Sequence, residues 1–165
     1  MVPEQIEETE CLVRSLHKPY HFDKQQDASL PLRIRPDAVL GSYKYGYDCS
    51  VTRLLHSKWS KCKAIAHELD KNDTNKTYVT MLVLCVFAVK KCGIEVLHRP
   101  TAQNQAHSVL HYCNASKHIR NEKAAALIKL IYRKKGAQEL IDPDPQAPDW
   151  LGPTVTEACA FCQQA

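Results

Sequence analysis

The chain has 165 residues, eight cysteines and a formal net charge of +4 at pH 7. A chain of this length can bury a hydrophobic core without cross-links, and its longest apolar run, residues 81–89, is far shorter than the roughly 20 residues of a membrane-spanning helix. The acidic N-terminus differs from the basic start of a signal peptide, so we expect a soluble, intracellular protein, cytoplasmic or nuclear. In those compartments the cysteines are expected to be free thiols.

Charge is distributed unevenly along the sequence. Residues 32–136 carry nineteen basic and seven acidic residues, a net charge of +12, whereas residues 1–31 and 137–165 have net charges of −3 and −5. A basic body between acidic ends favours an anionic partner such as nucleic acid or, less strongly, a membrane surface. The alternative is that excess lysine only keeps a small protein soluble.

The first elements in chain order are a helix and an irregular connector. Residues 4–17 have a loose helical spacing of apolar side chains, which predicts a short amphipathic helix. Residues 18–48 are interrupted by prolines and glycine, which predicts a connector with little regular structure.

Alternating tyrosines within this connector resemble a stacking surface for unpaired bases. In an extended conformation the rings of Tyr43, Tyr45 and Tyr47 project to one side. With Lys44 between them, these residues are candidates for nucleic-acid binding. An ordinary edge strand packed against helices would show the same alternation.

The clearest pattern predicts an amphipathic helix over residues 51–69, because apolar side chains recur there at spacings of three and four residues. The opposite face is predicted to expose Arg53, Lys63 and Lys71, with Lys61 near its edge. A row of cations on an exposed helix face suits contacts with phosphates, so we predict these four residues as nucleic-acid contacts.

Three further helices are predicted in the second half of the chain. Residues 75–92 fit either a strand or a helix, and we interpret them as a helix because of their length and their flanking residues. Residues 102–114 and 117–135 also fit the helical template, and residues 94–97 predict a short extended piece. We therefore expect an all-α bundle of about five helices, forming a single helical domain over residues 1–136.

Residues 137–165 are rich in proline and acidic residues, which predicts a disordered tail. Trp150 and Leu151 within it are candidates for docking into a groove of a partner protein.

Histidines and cysteines suggest one metal site that the sequence leaves incomplete. His107 and His111 would lie one helical turn apart, and Cys159 and Cys162 form a single C-x-x-C pair. These four residues, or Cys113 in place of one of them, could bind zinc. The alternative, which we favour, is that Cys113 packs in the core and the tail cysteines bind nothing, so no cofactor is expected.

No catalytic residues can be assigned from the sequence. Its five glycines form none of the phosphate-binding motifs of nucleotide-binding enzymes, and no local signature identifies a catalytic cysteine. We therefore predict a non-enzymatic nucleic-acid-binding protein that contacts phosphates, of RNA more than DNA, without reading sequence. The alternative is a protein–protein adaptor or assembly subunit that uses its helices and the Trp150 motif.

Overall fold

Five strands in the described part of the chain form one antiparallel sheet. The computed structural model describes residues 1–24, 33–42, 46–134, 142 and 144–147. The strands are β1 (Cys11–Lys18), β2 (Cys49–Arg53), β3 (Thr77–Cys85), β4 (Glu95–His98) and β5 (His107–His111). Their order across the sheet is β3-β1-β2-β5-β4, and every neighbouring pair is antiparallel.

Helices cover both faces of this sheet. They are α1 (Trp59–Asn72), α2 (Val86–Lys91) and α3 (Lys117–Lys134), with short 3-10 turns at Pro36–Val39 and Leu54–His56. Residues of β1 alternate between two hydrophobic clusters: Cys11 and Val13 pack with α1, whereas Leu12 and Leu16 pack with α2 and α3. The described chain is therefore a three-layer α/β arrangement around two small cores. None of its described helices combines the length and hydrophobicity that crossing a bilayer requires.

The predicted all-α bundle of about five helices is therefore wrong. The helix predicted over residues 4–17 is replaced by β1, and the one predicted over residues 102–114 is replaced by a loop and β5. Residues 75–92 form β3 followed by the six-residue α2. The helix predicted over residues 117–135 is confirmed as α3, and the extended piece at residues 94–97 is confirmed as β4.

The error at β3 has a physical cause. This strand lies at an edge of the sheet beside β1, but helices cover both of its faces, so its burial is nearly continuous rather than alternating. A strand buried on both faces has the same uninterrupted apolar sequence as a buried helix, and periodicity cannot separate them. The valines and threonines of the segment were the better indicator, since β-branched residues fit a pleated sheet.

Two of the predicted surface cations are instead buried in ion pairs. Arg53 is the last residue of β2 and is 1% exposed, and it makes two hydrogen bonds of 2.7 and 2.6 Å to the carboxylate of Glu10. Lys63 faces inward from α1 because it follows Trp59 by one turn, and its ammonium lies 2.8 Å from a carboxylate oxygen of Asp142. The prediction that Arg53 and Lys63 lie on an exposed helix face is wrong.

The cysteines also differ in part from expectation. Cys49, Cys62, Cys92 and Cys113 are free thiols. Cys11 is disulfide-bonded, so the prediction that all cysteines are reduced is wrong at this residue.

The Glu10–Arg53 pair predicts a loss of stability in acid. Burial on its own would raise the pKa of Glu10, but hydrogen bonds from Arg53 and the Glu7 amide, with the charges of Arg53 and His56, hold it below the ordinary value of 4.5. A lowered pKa stabilises the fold above about pH 4.5, and this contribution disappears as the pH falls through the pKa of the folded state. We expect the urea midpoint of the wild type to fall between about pH 5 and pH 3.

The matched variants are Glu10→Gln and Glu68→Gln, because Glu68 is 63% exposed. Glu68→Gln should retain the wild-type acid profile, whereas Glu10→Gln should be less stable at pH 7 and lose less on acidification. If Glu10→Gln kept the full acid dependence of the wild type, Glu10 would not be the group responsible.

Candidate metal centre

Three potential metal ligands meet where β4 begins beside the end of β5. Glu95 is the first residue of β4, and the strand register pairs it directly with His111, the last residue of β5. Cys113 follows two residues later. One ligand atom from each of these side chains lies within 4.8 Å of the other two. A carboxylate, an imidazole and a thiol are all ligand types found in zinc sites.

Asp48 orients the imidazole of His111 from the β2 side of β5, opposite to β4. It immediately precedes β2, which pairs with β5, and its Oδ1 lies 2.8 Å from Nδ1 of His111. In the neutral ring Nδ1–H donates to this carboxylate, which leaves Nε2 to bind an ion. Histidines that bind metal ions in proteins commonly donate their other ring N–H to a carboxylate in this way.

The loop that carries Asp48 depends on a glycine. A Cβ on Gly41 would lie 1.9 Å from the carbonyl oxygen of Asp48, so no other residue fits there without moving the loop. The Gly41 amide also donates to the carbonyl oxygen of Tyr47, at 3.1 Å. These close contacts fix the backbone beside the Asp48–His111 hydrogen bond.

A left-handed backbone places Cys113 beside the end of β5. Cys113 has φ +52° and Asn114 has φ +54°. Asparagine adopts this conformation readily, but it is uncommon for cysteine and costs about 1 kcal/mol or more. The turn is anchored by Tyr112, which is 2% exposed and donates from its hydroxyl to the carbonyl oxygen of Val39, at 2.8 Å.

The charges around Cys113 favour the neutral thiol. Desolvation raises its pKa, and so do a hydrogen bond with Glu95 and the charge of that carboxylate, while Lys123 acts in the opposite direction. Lys123 also donates to the carbonyl oxygen of Gly93. A thiol in this setting is a poor nucleophile, since it is the thiolate that reacts.

A bound cation would favour the thiolate of Cys113 over the neutral thiol. It would offset the charge of Glu95 and deprotonate the thiol, as metal ions do with coordinating cysteines. The arrangement is therefore better suited to metal binding than to cysteine-based catalysis.

The structure separates the histidines that the sequence paired. The predicted helical pairing of His107 and His111 is wrong because both lie on strand β5, where four residues span about 13 Å. The ring of His107 instead contacts the carbonyl oxygen of Arg99. Cys159 and Cys162 lie outside the described residues, so their predicted role stays a prediction.

Sequence reasoning missed Glu95 and Asp48 as parts of this centre. The local sequence His111-Tyr-Cys113 was an available signal, because it places two zinc-ligand types two residues apart.

The predicted nucleic-acid contacts are dispersed. Arg53 and Lys63 are buried, Lys61 is exposed, and Lys71 is exposed and donates to Glu68 at 2.7 Å. The ring of Tyr47 lies beneath the guanidinium of Arg120, with 3.6 Å from its central carbon to the ring centroid. Other candidates lie outside the described residues: Tyr43, Lys44, Tyr45, Trp150 and Leu151. Nucleic-acid binding and partner docking therefore remain predictions.

The fold and this cluster together define an α/β protein with a candidate transition-metal centre at one end of its sheet. No family model, curated protein or solved structure matches the chain. Its function is therefore inferred from the chemistry of the centre.

Proposed function

We propose that the protein binds a divalent transition-metal ion, with zinc as the best match, through Glu95, His111 and Cys113. The observation that carries this proposal is the convergence of three different ligand atoms within 4.8 Å. Calcium and magnesium prefer oxygen ligands alone, and iron–sulfur clusters need more cysteines, whereas zinc accepts oxygen, nitrogen and sulfur together.

The ligands need only small movements to bind the ion. Bonds of about 2.0 to 2.3 Å in a tetrahedral zinc site place the ligand atoms about 3.5 Å apart. The ligand atoms of Glu95, His111 and Cys113 lie within 4.8 Å of one another, so they would have to approach by roughly 1 Å. Glu95 and Cys113 are exposed and can rotate, while the half-buried His111 is held by Asp48. The bound site would be electrically neutral, because one carboxylate and one thiolate balance the charge of Zn²⁺.

Three protein ligands leave a fourth coordination position. Structural zinc sites are usually closed by four protein ligands, whereas catalytic sites keep three and bind water in the fourth position. We infer that zinc bound by these residues would take water in that position and lower its pKa, which would supply the chemistry of hydrolysis. Lys123, whose charge acts on Cys113 and whose ammonium donates to the carbonyl oxygen of Gly93, supplies a nearby cation that would favour an anionic substrate group.

Titration with Co²⁺ and Zn²⁺ under reducing conditions tests the proposal. Co²⁺ should give a thiolate-to-cobalt charge-transfer band that Zn²⁺ removes, and calorimetry should show one ion per chain. Cys113→Ser should lose the band, whereas Cys92→Ser should keep it, since Cys92 is a free thiol outside the centre. The double variant Cys159→Ser/Cys162→Ser should also keep it. Loss of the band in that double variant alone would place the metal elsewhere and refute the proposal.

Zinc affinity is expected to rise with pH. Because the pKa of Cys113 lies above the ordinary value of 9.0, binding near neutral pH must release the thiol proton. Release of one proton makes the apparent affinity increase about tenfold per pH unit between about pH 7 and pH 8.5. Calorimetry in two buffers of different ionisation enthalpy measures this proton directly. An affinity that does not change over that range would show that Cys113 is not a ligand.

A further inference from the structure

A second cluster of polar side chains lies on β1 and α1. Nδ1 of His17 lies 2.7 Å from Oδ1 of Asp70, and Nε2 of His17 lies 3.0 Å from the hydroxyl oxygen of Ser15. The three side chains therefore form a continuous chain of hydrogen bonds from hydroxyl through imidazole to carboxylate.

The imidazole is held in one orientation. The second oxygen of Asp70 accepts a hydrogen bond from the backbone amide of Tyr78 at 2.6 Å, and the rings of His21 and Tyr78 contact His17 edge-on. Burial lowers the pKa of His17, and this effect outweighs the opposing influence of Asp70. In the neutral ring, Nδ1–H donates to Asp70 and Nε2 accepts from the hydroxyl of Ser15.

We propose that Ser15 is a nucleophile toward activated esters, with His17 as its general base and Asp70 as the residue that positions His17. This order of hydroxyl, imidazole and carboxylate is recognised by its geometry and not by its place in the sequence. The side chain of His17 is only 4% exposed and that of Asp70 is 20% exposed, while Ser15 is partly exposed.

The reaction balances without a cofactor. The oxygen of Ser15 bonds to the carbonyl carbon of the ester while its proton passes to Nε2 of His17. The bond to the leaving alcohol then breaks, and His17 returns the proton to that alcohol. Water completes the cycle: it gives its proton to His17, attacks the acyl-serine, and Ser15 leaves with the proton.

The competing explanation is that Ser15 only satisfies a buried imidazole, which needs partners for both nitrogens. Reactivity distinguishes the two, because a hydroxyl with a purely structural role reacts no faster than any other serine. The probe is a small fluorophosphonate, whose phosphorus bonds to the serine oxygen as fluoride leaves with the displaced proton.

Incubation of the folded wild-type chain with this probe, followed by peptide mass spectrometry, should locate the added group on Ser15. The control is Ser50, an exposed serine on β2, which should remain unmodified. Ser15→Ala should eliminate the labelling and keep the wild-type circular dichroism. Absence of modification at Ser15, or equal labelling in urea-unfolded chain, would overturn the proposal.

Two variants test the positioning role of Asp70. Asp70→Asn should slow labelling about a hundredfold or more, because the amide favours the wrong tautomer of His17. Asp70→Glu restores a carboxylate and should recover part of that rate. Equal rates for the two variants at equal thermal stability would show that Asp70 does not act through its carboxylate.

Discussion

Replacement of His111 by alanine is expected to weaken zinc binding at least about a hundredfold, which corresponds to roughly 2.7 kcal/mol. His111 is central to the proposed centre, because its partner in the strand register is Glu95 and its ring is oriented by Asp48. Without the imidazole, two adjacent ligands remain, and neither is held in place as firmly. Calorimetric titration with Zn²⁺ under reducing conditions measures the effect.

The matched control is His107→Ala. His107 lies on the same strand, and its ring contacts the carbonyl oxygen of Arg99 and not a potential ligand. This variant should bind zinc as the wild type does. Asp48→Asn should have an intermediate effect of about tenfold, since it changes the orientation and basicity of a ligand without removing one. Equal affinities for His111→Ala and His107→Ala would contradict the assignment of the centre.

The sequence predicts an element of this fold well when the interactions that determine the element lie between residues close together in the chain. The end of helix α3 was predicted to within one residue because its periodicity is contained in eighteen consecutive residues. Strand β3 was mistaken for a helix because its burial comes from elements distant in sequence, β1 and the helices above and below it. Its composition alone does not specify which partners cover it.

The candidate centre shows the same limit. Asp48, Glu95 and His111 become neighbours only through the strand order β2-β5-β4 and its register. No local pattern contains that order, so the sequence could supply the histidine and the cysteine but not the two carboxylates. A strand over residues 107–111 separates His107 from His111 by about 13 Å, so strand geometry excludes His107 from the site.

The buried cations were unpredictable for a related reason. Arg53 pairs with Glu10, forty-three positions away in sequence, and Lys63 pairs with Asp142, seventy-nine positions away. A cation on a helical wheel is normally assigned to the exposed face, since unpaired charges are almost never buried. The partner that makes burial tolerable is visible only in the folded chain.

Replacement of Arg53 by alanine is therefore expected to reduce the free energy of unfolding by about 3 to 5 kcal/mol, because it leaves the buried carboxylate of Glu10 without its charged partner. Arg53 also donates to the backbone carbonyls of Pro3 and Gln5, so the variant releases the N-terminal segment as well. Urea unfolding at pH 7 measures the change. Lys71→Ala, at a side chain that is 71% exposed, should change the free energy by less than about 1 kcal/mol.

A double variant separates the cost of an unpaired charge from the value of the pair itself. Replacing both partners by methionine removes both buried charges and keeps apolar volume, and such exchanges are often close to neutral. Glu10→Met/Arg53→Met should therefore be more stable than Arg53→Ala. If the double variant were as unstable as Arg53→Ala, the hydrogen bonds of Arg53 to the N-terminal carbonyls would be the dominant contribution.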